Sequence, residues 1–307
     1  VIGSLFREVS DSDAQGALDA AWDAGIRYFD TAPHYGLGLS ERRHGEFLAS
    51  KVRSDYVVST KVGRLIRPNP DFDGGLDDQG FAVSGRNHRV LDYSRDGTLA
   101  SLEESLERLG LDSVDIVYVH DPDEHERDAL EGAFPALEEL RQQGVIGSYG
   151  AGMNQSAMLA RFVEHTDLDV VMCAGRFSLL DQSAAEDLLP LAKNRGVSVV
   201  AAGVFNSGIL ATDSPQASAH FDYAPAPAEL IDRATSLASA CTEMGYSLPQ
   251  VAAQFPLLHP SVHSVCLGAR NAAQASRNAA LFETEVPRGV YAYLVDQGLL
   301  DPDVLDY

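Results

Sequence analysis

Val114-Asp115-Ile116-Val117-Tyr118-Val119-His120 is the stretch from which the fold is read. Apart from Asp115 it is apolar on both faces until His120 ends it, the pattern of a parallel strand covered on either side. Two more runs repeat the design. Tyr56-Val57-Val58-Ser59-Thr60-Lys61 ends in Lys61, and Tyr28-Phe29-Asp30 ends in Asp30, with Tyr35 five residues on. In a parallel α/β fold the C-terminal strand ends share one face, and chemistry gathers there. An acid, a phenol, an amine and an imidazole brought to that face make a proton-transfer set.

Outward from these runs, strand and helix patterns alternate. Strands are expected at 26–30, 56–61, 114–120, 145–150, 170–175, 197–203 and 262–268. Between them Asp11-Ser12-Asp13 caps a helix that runs to Ala24 and stops at Gly25. Leu99, Leu102, Leu106 and Leu109 form one stripe of another helix. Similar patterns fall at 40–51, 132–143, 155–165, 183–195, 228–244 and 271–281. Eight such βα units close a (β/α)8 TIM barrel. Val1-Ile2-Gly3-Ser4-Leu5 reads like a loop leaving a strand, so the first strand is expected upstream of Val1. A doubly wound sheet is the other architecture compatible with the alternation, but no Gly-x-Gly-x-x-Gly follows the first visible strand. No linker interrupts residues 1–307, which reads as a single domain. The stretch 63–95, with Pro68, Pro70, Gly74, Gly75 and Gly80, is expected as a long loop over the catalytic face.

The 307 residues are 45% hydrophobic, enough for a large core. A net charge of −22 argues against nucleic acid and anionic membranes as partners. No segment has the apolar length of a membrane span, and no signal peptide is visible. Cys173, Cys241 and Cys266 lack metal-ligand spacing, so no metal is expected and reduced thiols in a cytoplasmic protein are. The expected partner is a small-molecule substrate; nothing in the sequence sets the oligomeric state.

The four polar residues suggest a division of labour. A lysine cation favours the phenolate of a nearby tyrosine. A carboxylate beside the lysine keeps it charged and oriented, and a histidine holds a carbonyl or hydroxyl oxygen. Tyr35 is then the acid for carbonyl reduction or the base for alcohol oxidation. No protein group here accepts a hydride, so a nicotinamide cofactor is implied. Phe205-Asn206-Ser207-Gly208 suits a backbone cradle for its pyrophosphate, or is a simple glycine-bearing turn. His34 and Asp121 adjoin the set and are candidates to line a substrate pocket. Arg176 either meets substrate hydroxyls or pairs with Asp181.

Gly25-Ile26-Arg27-Tyr28-Phe29-Asp30-Thr31-Ala32-Pro33-His34-Tyr35-Gly36, Ser59-Thr60-Lys61 and Val119-His120 resemble the signature of the aldo-keto reductases. The resemblance implies an NAD(P)-dependent oxidoreductase with the tetrad Asp30, Tyr35, Lys61 and His120. It further implies that Asn154, after the fifth strand, meets the nicotinamide amide. The segment from Gly268 to Asn278, with Ala269, Arg270 and Gln274, would hold the adenosine end, and Leu210 falls in the cofactor-binding stretch after Phe205. The family often stacks an aromatic from strand seven on the nicotinamide; here that stretch reads Val200 to Phe205, with Phe205 the candidate replacement, and Ala174 stands where the family usually has a glutamine. Many NADP-using members carry a lysine and an arginine where this chain has Gly268 and Gln274, so NAD is the expected cofactor and NADP the alternative. His34 to Arg43, His120 to Asp123, Gly203 to Leu210 and Phe221 to Pro227 resemble the branch that oxidises L-fucose and related D-threo-aldoses at the anomeric carbon, giving a lactone. That branch also contains pyridoxal 4-dehydrogenases. A non-catalytic NAD(P)-binding sensor or accessory subunit is the remaining alternative.

Overall fold

Val58, Val117 and Val119 are fully buried, and the runs that carry them are strands because β-branched residues suit a pleat covered on both faces. The computed structural model describes residues 1–222 and 224–306. Tyr223, within the Phe221–Pro227 stretch, and Tyr307 lie outside the described residues. The chain divides into two compact units: Val1–Gly152 with His165–Val170 and Gly268–Ala279, and Met153–Glu164 with Val171–Leu267 and Ala280–Tyr307.

In the first unit, α1 (Asp11–Asp23) leads to β1 (Tyr28–Asp30), α2 (Leu39–Leu48) and β2 (Val57–Val62). A hairpin follows, β3 (Arg64–Pro68) and β4 (Asn87–Leu91), then α3 (Arg95–Leu109) and β5 (Val114–His120). One turn, α4 (Glu126–Asp128), precedes α5 (Phe134–Gln142) and β6 (Ile146–Met153). β1, β2, β5 and β6 pair in that order and run parallel. The register sets Asp30 opposite Ser59, Lys61 opposite Tyr118 and His120 opposite Gly152. It therefore brings the polar strand ends to one edge.

The second unit takes up most of α6 (Ser156–His165) and β7 (Val170–Ala174), then α7 (Leu188–Arg195) and β8 (Ser198–Ala202). A small ribbon of β9 (His220–Phe221) and β10 (Ala224–Pro225) precedes α8 (Ala228–Glu243), α9 (Leu248–Gln254) and β11 (Val262–Cys266). α10 (Ala272–Ala280) belongs mainly to the first unit and α11 (Arg288–Asp296) to the second. β7 neighbours β8, and β8 pairs in parallel with β11.

All seven expected strands are present, with ends within three residues of those read from sequence. Three readings need correction. Residues 63–95 are not an irregular loop: β3 and β4 pair antiparallel from Arg64↔Leu91 to Pro68↔Asn87. Of Arg64-Leu65-Ile66-Arg67-Pro68 only Leu65 is buried, so the strand shows no apolar alternation. α1 is capped by Ser10, whose side chain accepts from the Asp13 amide, rather than by Asp11-Ser12-Asp13. α9 and α11 did not announce themselves; α9 is short and starts at the Ser247 cap.

Candidate active site

Asp30, Lys61 and His120 reach the site because each ends or nearly ends a strand of the first unit. Tyr35 arrives differently, on the turn between β1 and α2. Gly36 has φ +67, and a Cβ there would lie within 2.3 Å of the Gly3 carbonyl oxygen. Only glycine lets these two backbones meet, and that contact fixes the backbone of Tyr35.

The Asp30 carboxylate is satisfied on both oxygens, by Ser59 Oγ at 2.7 Å and by Lys61 Nζ at 2.6 Å. Lys61 Nζ also donates to the Thr31 carbonyl at 2.9 Å and sits 4.6 Å from the centre of the Tyr35 ring. Its side chain is 2% exposed. Burial opposes the charge, but Asp30 and Tyr35 outweigh it and hold the ammonium well above the ordinary lysine range. Lys61 therefore stays a cation across the working pH of any enzyme.

The His120 ring lies edge-on to Tyr35, with centroids 5.7 Å apart. Burial, then Arg64, Lys61, His34 and Arg89, push this imidazole well below its usual range, so it is neutral. Its Nδ1 is buried with no hydrogen-bond partner among the described residues. A lone pair is cheaper to leave unmet than an N–H bond, which places the proton on Nε2, 3.5 Å from Asp121 Oδ2.

The corrected hairpin supplies the wall beyond His120. Arg64 donates from Nη2 to Asp121 Oδ2 at 2.8 Å and from Nη1 to His34 Nδ1 at 3.3 Å. A guanidinium only donates, so His34 Nδ1 accepts and its proton is on Nε2. Burial, then Arg64, lower the His34 pKa to about 2. Arg89 donates to the His34 carbonyl at 2.8 Å and pairs with Asp77, both side chains 2% exposed. Phe81 packs against His34 at 5.1 Å and Tyr35 at 6.5 Å between centroids. Tyr93 donates to the carbonyls of His120 and Asp121. Gly63 has φ +102 and no room for a Cβ, which would lie 2.2 Å from the Tyr93 ring. This cluster joins a neutral hydrogen-bond donor, a permanent cation and a phenol, the parts needed to move a proton to or from an alcohol oxygen.

A model of the aldo/keto reductase family matches residues 2–296. The chain belongs to the aldo/keto reductase family. It is 48% identical to a D-threo-aldose 1-dehydrogenase from Pseudomonas sp, over 97% of this chain and 92% of that one. It is 42% identical to a pyridoxal 4-dehydrogenase from Microbacterium luteolum, again over 97% and 92%. Among solved structures, an aldo-keto reductase from Bacillus halodurans in its holo form superposes with TM-score 0.76 at 25% identity, covering 98% of this chain and 90% of that chain. A glycerol dehydrogenase from Gluconobacter oxydans gives TM-score 0.76 at 22% identity over 98% and 91%, a likeness of fold. The fold class is thus the (β/α)8 barrel of the aldo-keto reductases, and the chain is an NAD(P)-dependent oxidoreductase.

The segment from Gly268 to Asn278, where the sequence resemblance put the adenosine end of a dinucleotide, lies in the first unit. Gln274 Oε1 accepts from the Arg270 amide at 2.9 Å, and Asn278 Nδ2 donates to the Gly268 carbonyl at 3.1 Å. Ala269 lies between Gly268 and Arg270 in the same loop. Arg7, Glu8, Val9, Asp13, Arg270 and Asn271 line a cleft of about 300 Å³. Burial and the neighbouring Arg7 lower the pKa of Arg270, whose Nε has no partner among the described residues. Two arginines that repel each other beside a cleft fit an anionic group.

The remaining sequence-derived candidates belong to the second unit. Asn154 follows β6 directly. The turn after β8 has positive φ at Asn206, Ser207 and Gly208. The amides of Asn206, Gly208 and Leu210 are bonded to carbonyls within that turn, two of them to Phe205. The Leu210 side chain is fully buried. Arg176 is held by Asp181 at 3.0 Å and Asp222 at 2.8 Å. Sequence reasoning missed Arg64, Phe81, Arg89 and Tyr93. The one available signal was the position of Arg64 three residues beyond Lys61, just past a strand end.

Proposed function

We propose that this chain oxidises the anomeric carbon of an aldose of the L-fucose or D-threo type to a lactone, using NAD. The observation that carries the reading is the cluster of Lys61, Tyr35 and neutral His120 beside the polar wall of His34, Arg64 and Asp121. The 48% relative is named for the same chemistry.

Tyr35 removes the proton from the C1 hydroxyl. Lys61 favours the phenolate that does so, and Asp30 with Thr31 holds Lys61 in place. His120 donates from Nε2 to a substrate oxygen and so orients C1. A bound nicotinamide supplies the hydride acceptor. Gly268, Ala269, Arg270, Gln274 and Asn278 are the residues of the first unit proposed to hold the adenosine end of that cofactor. Uncharged Gly268 and Gln274 support NAD. NADP is the second reading, supported by the Arg7 and Arg270 cleft; a lower KM for NADP, restored to parity by Arg270→Ala, decides for it.

The test is the activity of Tyr35→Phe with L-fucose and NAD. A fall of about 10²–10⁴-fold in kcat is expected for loss of the general base, and activity near wild type sinks the mechanism. Pyridoxal is the second substrate reading, supported by the 42% relative. A panel of L-fucose, D-arabinose and pyridoxal separates them, a tenfold higher kcat/KM for pyridoxal overturning the first choice. We also read the protein as cytoplasmic. Burial pushes the Cys173 and Cys241 thiols up to about 12, which suits packed, reduced cysteines. Among the described residues no helix is long and apolar enough to cross a membrane.

A further inference from the structure

Asp121 is an odd residue to find where it is. Its φ is +42, a left-handed conformation that strains a non-glycine residue and persists where the surroundings enforce it. The surroundings here are specific. The Asp121 amide donates to the Gly152 carbonyl at 3.1 Å, and Tyr93 donates to the Asp121 carbonyl at 2.8 Å. The result turns the carboxylate back beside His120, 3.5 Å from Nε2 to Oδ2, rather than away along the chain. That carboxylate is 28% exposed. Oδ2 accepts from Arg64, and Oδ1 has no protein partner among the described residues. Burial pushes its carboxyl above the ordinary range, against the pull of Arg64.

Arg64 is held as firmly. It opens β3 directly after Gly63, the position whose backbone admits no side chain, and its Nη1 is fixed by His34. Its side chain is 15% exposed. The ion pair with Asp121 uses one oxygen and one nitrogen, so it is not the closed two-pronged arrangement that saturates both partners. An open acceptor at Oδ1 thus stands next to a cationic donor, on a carboxylate beside His120, whose ring in turn lies edge-on to Tyr35.

We propose that Arg64 is the specificity-determining residue of this site, forming with Asp121 a donor–acceptor pair that binds two neighbouring hydroxyls of an aldose while Tyr35 works on the anomeric one. The inference rests on the aldose reading above. A sugar hydroxyl donates and accepts at once: one hydroxyl donates to Asp121 Oδ1, and its neighbour accepts from the guanidinium. A substrate without hydroxyls leaves both groups desolvated and unmet, so the pair rejects it as well as selecting the sugar. Lysine does not replace arginine here, because a point charge lacks the fork that reaches Asp121, His34 and a ligand together.

The experiment compares oxidation of L-fucose with reduction of pyridine-3-carbaldehyde, an aldehyde without hydroxyls, in wild type, Arg64→Leu, Arg64→Gln and Arg64→Lys. NADH binding and the thermal midpoint report whether each variant is folded. In Arg64→Leu, kcat/KM for L-fucose is expected to fall about 100-fold more than for the aldehyde, a loss typical of a hydrogen bond to a charged group, carried mainly by KM. Arg64→Lys recovers only part of it. If Arg64→Leu fails to fold, Arg64→Gln, which keeps a donor for His34, carries the comparison with at least a tenfold differential. Equal losses on both substrates make Arg64 a scaffold residue and overturn the inference, as does unchanged L-fucose kinetics. A wild type that reduces the aldehyde but oxidises no aldose removes the aldose reading itself and this inference with it; an active wild type with undifferentiated variants removes this inference alone.

Discussion

Lys61 carries its charge into a place with almost no water, and Asp30 makes that tolerable. The two side chains are 2% and 7% exposed. Removing one partner of such a pair strands the other, at a cost of about 3–5 kcal/mol. Lys61→Met is therefore expected to lower the unfolding free energy by that amount and to cut kcat as well. Chemical denaturation checks the first and steady-state kinetics the second; a variant as stable as wild type means that Asp30 is not buried against the ammonium. Asp30, Lys61 and His120 were legible in the sequence because each closes an apolar run, where an ionisable residue is conspicuous. Tyr35 followed from its place after Asp30. Arg64 was not legible: arginine is an ordinary surface residue, and nothing local says that its guanidinium lies between His34 and Asp121.

The hairpin of β3 and β4 is the element that turns a proton-transfer set into a pocket with a wall. It read as a loop because Pro68, Pro70, Gly74 and Gly75 are turn residues and its short strands present one face to solvent. What holds it is buried chemistry rather than apolar pattern: Arg89 and Asp77 pair out of reach of water, and Arg89 also grips the His34 carbonyl. The parallel strands were readable by contrast, since they are apolar on both faces and a parallel strand has little other use for such a run. Arg89→Met is expected to leave Asp77 buried without its cation, although the Gln79 and Phe81 amides still donate to it, lowering stability by about 3–5 kcal/mol, whereas Arg89→Met with Asp77→Leu recovers much of it. Urea unfolding of the single and double variants tests this; equal losses in both would show that the pair itself does not anchor the hairpin.

Over the whole molecule the histidines set the acid limit. Burial lowers His34 to about 2, and His44 and His259 to about 4. Below the ordinary histidine value of 6.5 the unfolded chain takes up protons that these folded imidazoles refuse. Stability is thus full above about pH 6.5 and falls as the pH drops. Each histidine removes up to about 1.4 kcal/mol per pH unit, until the pH passes its folded value. Urea midpoints at pH 7.5 and pH 5.0 measure it, and equal midpoints would mean that these rings are protonated in the folded state. The wider surface obeys different rules. The chain carries a net charge of −22, and where its charges face solvent dissolved ions screen them beyond about 8–10 Å. The Arg89–Asp77 pair, 2% exposed on each side, lies where those ions do not penetrate. The protein is therefore divided electrically: ionic strength governs how a charged molecule approaches it, while the field felt by a substrate once inside is the same in dilute buffer and in brine.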